Sequence, residues 1–203
     1  LLSAQSLTWN KVQQSPDYLK AKEAIAQYLP DRAIPRIQQL LSQEGLDQLA
    51  RNSLRTLLGE AQLRSGRATD AVATLSHADL REFSPALLWL GHAYTKLSRF
   101  QDAIKIYGRI DRRSMSDDAS LRIATLQMAL GDTELASNRL TPLTESKDPD
   151  IAKEASFRLT DLALVSGNAT QAEKILGNVV PVGPAEEGLV LYLKGQILLA
   201  RGE

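Results

Sequence analysis

From about residue 14 onward the apolar positions recur three and four residues apart. Leu87, Leu90, Gly91 and Tyr94 follow the i, i+3, i+4, i+7 spacing of one helix face. A polar break at Ser98 follows. The same spacing then resumes with Phe100, Ala103, Ile104 and Tyr107. The break recurs along the chain as a small residue, four others, then alanine: Gly66…Ala71, Ser98…Ala103, Gly131…Ala136 and Gly167…Ala172. These alanines are separated by 32, 33 and 36 residues, Ala33 lies 38 before Ala71, and Gly202 lies 35 after Gly167. A period of this size predicts a stacked array of units built as helix A, short turn, helix B. The small residue relieves the backbone where helix A ends. The alanine lets helix B approach helix A closely, where a larger side chain would hold the pair apart. Pro16, Pro85, Pro149 and Pro184 are expected at the entries to successive A helices, where a missing N–H costs nothing. Asp17, Asp117, Asp118, Glu154, Glu186 and Glu187 are expected in or near first turns, favourably placed against the helix dipole.

The stretch Leu87 to Tyr107 resembles a tetratricopeptide repeat. That family places a large apolar residue, Leu-Gly and Tyr in helix A, then Ala and an aromatic in helix B. Here these are Leu87, Leu90-Gly91, Tyr94, Ala103 and Tyr107. The resemblance implies an all-α fold, a right-handed superhelical α-solenoid of helix-turn-helix repeats. It divides the chain into a leader at 1–13, a degenerate helix pair at 14–51 and repeats at 52–83, 84–116, 117–152 and 153–187, with the first helix of a further repeat at 188–203. The unit from 52 keeps Leu58-Gly59, Gly66, Ala71 and Leu75. The unit from 117 keeps Ile123-Ala124, Gly131, Ala136 and Leu140. The unit from 153 has Thr160 in the glycine slot. A HEAT-like array is the other helical-pair reading, disfavoured because its period is nearer about 40. Residue Glu203 falls where a B helix should begin, so the native protein is expected to continue.

In this family the A helices line a concave groove that holds a partner. Helical phase, counted from the packing positions Leu58, Leu90, Ile123 and Leu159, gives three rows. The first is Thr56, Leu88, Leu121, Phe157 and Tyr192. The second is Glu60, His92, Thr125, Asp161 and Gln196. The third is Arg64, Lys96, Ala129 and Val165. For Leu88, Leu121 and Phe157 an inter-repeat seam is the stronger reading, because large apolar residues are usually buried. Arg64 and Lys96 bring positive charge toward the N-terminal end. An acidic peptide with an apolar anchor would suit that gradient. The Lys and Asn clamp by which one subset of the family holds C-terminal carboxylates is absent: its slots hold Thr56, Leu57, Glu60, Trp89 and His92.

Composition narrows the function further. Twenty-four basic residues balance 24 acidic ones, which leaves no surplus for a nucleic-acid surface. There is no cysteine, so disulfides and thiolate chemistry are excluded. No run of about 18 apolar residues could span a membrane. Neither His77 nor His92 has a metal-ligand partner at i+4, where His92 has Lys96 instead. No phosphate-cradling glycine loop or nucleophile elbow is present, and Pro181-Val182-Gly183-Pro184 reads as a turn. No cofactor or metal is expected. Trp89 reads as a seam residue, and Trp9 either packs on the first helix pair or marks a partner contact. The expected function is a non-enzymatic scaffold for a protein or peptide, with homo-oligomers compatible. The alternative is a substrate-positioning solenoid of a larger envelope enzyme. Leu1 to Ser6 resembles the tail of a bacterial signal peptide, and is otherwise a frayed leader. This gives a periplasmic or exported location, with the cytoplasm as the alternative.

Overall fold

The computed structural model describes residues 6–111 and 113–203. The export reading of Leu1 to Ser6 therefore falls, save for Ser6, outside the described residues. The described residues are all-α: they form helices and no strand, with one isolated bridge between Leu7 and Leu46. Two compact units result, Leu1–Arg112 and Arg113–Glu203.

In the first unit a short α1 (Trp9–Gln13) precedes three antiparallel pairs. These are α2 (Pro16–Ala26) with α3 (Pro30–Leu41), α4 (Gln48–Arg64) with α5 (Ala68–Leu75), and α6 (Ser84–Lys96) with α7 (Phe100–Tyr107). The second unit holds α8 (Arg113–Ala129) with α9 (Thr133–Leu140), α10 (Pro149–Val165) with α11 (Ala169–Leu176), and α12 (Gly183–Arg201).

Every pair turns the same way. The residue after helix A is left-handed at Tyr28, Gly66, Ser98, Gly131 and Gly167, with φ of 59°, 77°, 57°, 82° and 73°. The next N–H then reaches back to the last turn of helix A. Leu29 N donates to Ala24 O at 2.8 Å, Arg67 N to Gln62 O at 2.8 Å and Arg99 N to Tyr94 O at 2.9 Å. Asp132 N to Gln127 O and Asn168 N to Ala163 O, both 2.8 Å, repeat the closure. The first pair thus carries Tyr28 where the others carry glycine or serine. Five residues on, Ala33, Ala71, Ala103, Ala136 and Ala172 are all at 0% exposure. They sit where the two helices of a pair come nearest, and any side-chain growth there meets the opposing helix.

In the first unit the A helices also present glycine to a bulky B-helix residue. A Cβ at Gly59 would overlap the Leu75 side chain, and one at Gly91 would overlap the Tyr107 ring. Leu58, Leu90, Ile123 and Leu159 are buried, as packing positions require.

The proline signals fall at helix entries: Pro16, Pro85, Pro149 and Pro184 all occupy the first two positions of their helices. Four A helices begin about one turn before the positions 52, 117, 153 and 188, and for α4, α10 and α12 a cap or proline marks the earlier start. Asp47 Oδ1 accepts from Ala50 N at 2.6 Å, and Asp148 Oδ1 accepts from Asp150 N at 3.0 Å. Asp117, Asp118, Glu154 and Glu187 consequently lie past the first turn, while Asp17 and Glu186 lie in it. Trp9 packs inward: its ring meets Tyr18 edge-on at 5.3 Å, and its backbone N–H donates to Asp47 Oδ2 at 3.3 Å.

Candidate partner-binding surface

Within the first unit, α4 and α6 carry the expected groove rows. Glu60 and Arg64 stand one turn apart, and Arg64 Nε donates to Glu60 Oε1 at 2.9 Å. The Glu60 side chain is only 13% exposed and that of Arg64 is 42% exposed, so the acid is set into the wall and the base reaches out of it. The Arg64 guanidinium lies 5.4 Å from the centroid of the Trp89 ring on the following A helix. Trp89 in turn faces His92 at 5.3 Å, and His92 meets Tyr107 edge-on at 6.0 Å. Lys96 is exposed one turn beyond His92. Tyr18, on α2, adjoins the same row. Partial burial pushes its hydroxyl pKa up, a hydrogen bond with Gln13 pulls it down, and the negative charge of Glu60 adds to the rise.

The structure therefore brings Glu60, Arg64, Trp89 and His92 together as one row, with Leu88 half-buried beside it. Thr56 differs from its expected place on the groove wall. It is buried, and its Oγ1 donates to Asn52 O at 2.8 Å within its own helix. Trp89 is partly buried against the core around Leu80 and Leu90, as its seam reading required, yet it also forms the stacking face for Arg64. That second role was hidden in the sequence, because the two residues belong to different repeats. The i, i+4 spacing of Glu60 and Arg64 was the legible half of the arrangement.

In the second unit, Phe157 is buried in a cluster with Leu176, Val190 and Leu193, and Leu121 packs half-buried against Ala124 and Leu140. Phe157 is thus a packing residue and offers no groove surface. Thr125 is half-buried, its Oγ1 donating to Leu121 O at 2.9 Å. Asp161 is exposed on α10. Partial desolvation holds its carboxyl pKa above the usual range, Arg158 opposes the rise and Glu154 adds to it. Tyr192 is exposed and Gln196 half-buried on α12. No ion pair or ring contact links these residues into a cluster among the described residues.

A separate open cleft of about 1390 Å³ lies in the second unit, lined by α9, α10, α11 and the segment 179–182. Its walls mix hydroxyl and amide side chains such as Ser137, Asn138 and Gln171 with apolar ones such as Leu159, Leu162 and Ile175. Lys153 at its edge is engaged by Glu186 at 2.8 Å and Asp150 at 3.4 Å. His77 lies outside both regions, accepting from Asp79 N at 3.3 Å to open the short 3-10 turn Ala78–Leu80. The described residues contain no group of acidic or histidine side chains that could hold a metal ion, and no helix long and apolar enough to cross a membrane.

The model of the tetratricopeptide repeat family matches residues 18–85. Among solved structures, a tetratricopeptide repeat protein from Parabacteroides merdae is similar with a TM-score of 0.70 at 16% identity, over 96% of this chain and 73% of that one. A thermophilic tetratricopeptide repeat protein of Thermus thermophilus gives a TM-score of 0.61 at 17% identity, over 90% of this chain and 97% of that one. No curated protein matches the chain. At these identities the likeness speaks for the fold alone.

Proposed function

We propose that this chain, whose residues 18–85 match the tetratricopeptide repeat model and whose fold is that of tetratricopeptide repeat proteins, binds an acidic peptide segment with an apolar anchor along the A-helix row of its first unit. Tetratricopeptide repeats are in general scaffolds for protein–protein interaction, and proteins built of them are typically not enzymes. The observation that carries the finer reading is the placing of Arg64 and Lys96. They occupy equivalent positions of consecutive A helices, both exposed, with half-buried Leu88 and Trp89 alongside. Charge at such a rim steers and selects a partner of opposite sign, while the apolar neighbours supply the area that water leaves.

The test is calorimetric titration of the chain with short acidic peptides containing leucine. Arg64→Glu together with Lys96→Glu is expected to weaken binding by about tenfold or more, with stronger salt dependence in the parent than in the variant. Unchanged affinity in the double variant would remove the reading.

A further inference from the structure

Within that groove reading, we propose that Arg64 is a preset carboxylate fork, with Glu60 and Trp89 as its positioning residues. A free arginine at a surface samples many rotamers, and ordering it on binding is costly. Arg64 is already held on two sides. Glu60 takes its Nε–H at 2.9 Å, and Trp89 lies 5.4 Å from the guanidinium carbon. The hydrogen bond ties down the Nε edge of the guanidinium, and the indole bounds it on a second side. Neither Nη donates to any described residue, and the side chain is 42% exposed. Two parallel N–H groups at the open end match the two oxygens of a carboxylate.

Glu60 takes the Nε edge of the guanidinium and leaves its outer end to the guest. A planar carboxylate lays both oxygens on the two outer N–H groups, which makes a carboxylate the matching ligand, supplied by an Asp or Glu side chain or by a peptide C-terminus.

Four peptides separate these cases. One is acetylated and amidated with a single Glu between leucines. The second replaces Glu by Gln. The third is the Gln peptide with a free C-terminus, and the fourth carries phosphoserine in place of Glu. Each is titrated into the full chain and into Arg64→Lys, with circular dichroism showing that the variant is folded. The fork requires that the first or third peptide binds the parent at least about tenfold more tightly than the second, and that Arg64→Lys loses that advantage although the charge is kept. Which of the two peptides binds identifies the source of the carboxylate. No preference over the Gln amide, or tightest binding by the phosphoserine peptide, overturns the assignment. Full affinity in Arg64→Lys combined with loss in the Arg64→Glu, Lys96→Glu double variant overturns the fork and leaves the groove reading intact. Insensitivity to both sets of substitutions removes both.

Discussion

The two units solve one packing problem with different side chains. In the first, a glycine of helix A faces a bulky residue of helix B: Gly59 meets Leu75, and Gly91 meets the still larger ring of Tyr107. In the second, the corresponding A-helix positions hold Ala124 and Thr160, and the corresponding B-helix positions hold Leu140 and Leu176. Ala124 and Leu140 share one buried cluster, while Thr160 is at 0% exposure with its Oγ1 donating to Ser156 O at 2.9 Å. The requirement is thus a filled gap, and the glycine of the family pattern is one way to meet it. Opposite the Tyr107 ring and opposite Leu75 the gap has room for hydrogen alone. Opposite Leu140 and Leu176 the partner grows to alanine and threonine, and the threonine hydroxyl is satisfied within its own helix.

Placing valine in the same slot of each unit breaks this comparison most sharply. Gly91→Val drives two methyl groups into Tyr107, and overpacking of a closed contact should cost about 3 kcal/mol, read by urea denaturation. Adding Tyr107→Leu is expected to recover part of that loss, since residues in contact couple. Full additivity of the two changes would show that the slot is not shared. A smaller effect is expected at the turn. Ser98 has φ of 57° where the equivalent turns of both units mostly use glycine. Ser98→Gly should raise stability by about 1 kcal/mol, because serine is strained in the left-handed region. A lower denaturation midpoint would mean that the serine side chain has a compensating contact. The smallest effect is expected for Thr160→Val, which removes a hydroxyl whose only bond is inside α10. Its stability should stay within about 1 kcal/mol of the parent. A larger loss would show that the hydroxyl does more than satisfy itself.

These positions also show what the sequence could reveal. The spacing of small residue and alanine located four turns and the five alanines, because a backbone closure and a close helix approach each restrict side-chain size. The turn at Tyr28 escaped that search. Its side chain is 86% exposed, so the turn imposes no limit on volume, and only the backbone conformation marks the site. The groove rows were counted from helical phase alone. Phase set Glu60, Arg64, His92 and Lys96 off the face of the packing leucines, and in the structure Arg64 and Lys96 are exposed while Glu60 and His92 are half-buried. Phase could not show that Thr56 is covered, since coverage depends on the neighbouring helices, whereas the size of Phe157 already favoured its burial at a seam. The stacking of Arg64 on Trp89 likewise joins residues 25 apart in the chain, and no local pattern announces it.

The left-handed turns have a consequence for chirality. Nothing lies within 4 Å of the place where a Cβ would stand at Gly66, Gly131 or Gly167, so the only objection to a side chain there is its handedness. A mirror-image amino acid is at ease at those φ values, where its ordinary counterpart is not. D-Alanine introduced by chemical synthesis at Gly66 would remove backbone freedom from the unfolded chain without straining the folded one. The tips of the helix pairs are in that sense ready-made attachment points for stiffening groups and labels, set apart from the contacts that hold the pairs together.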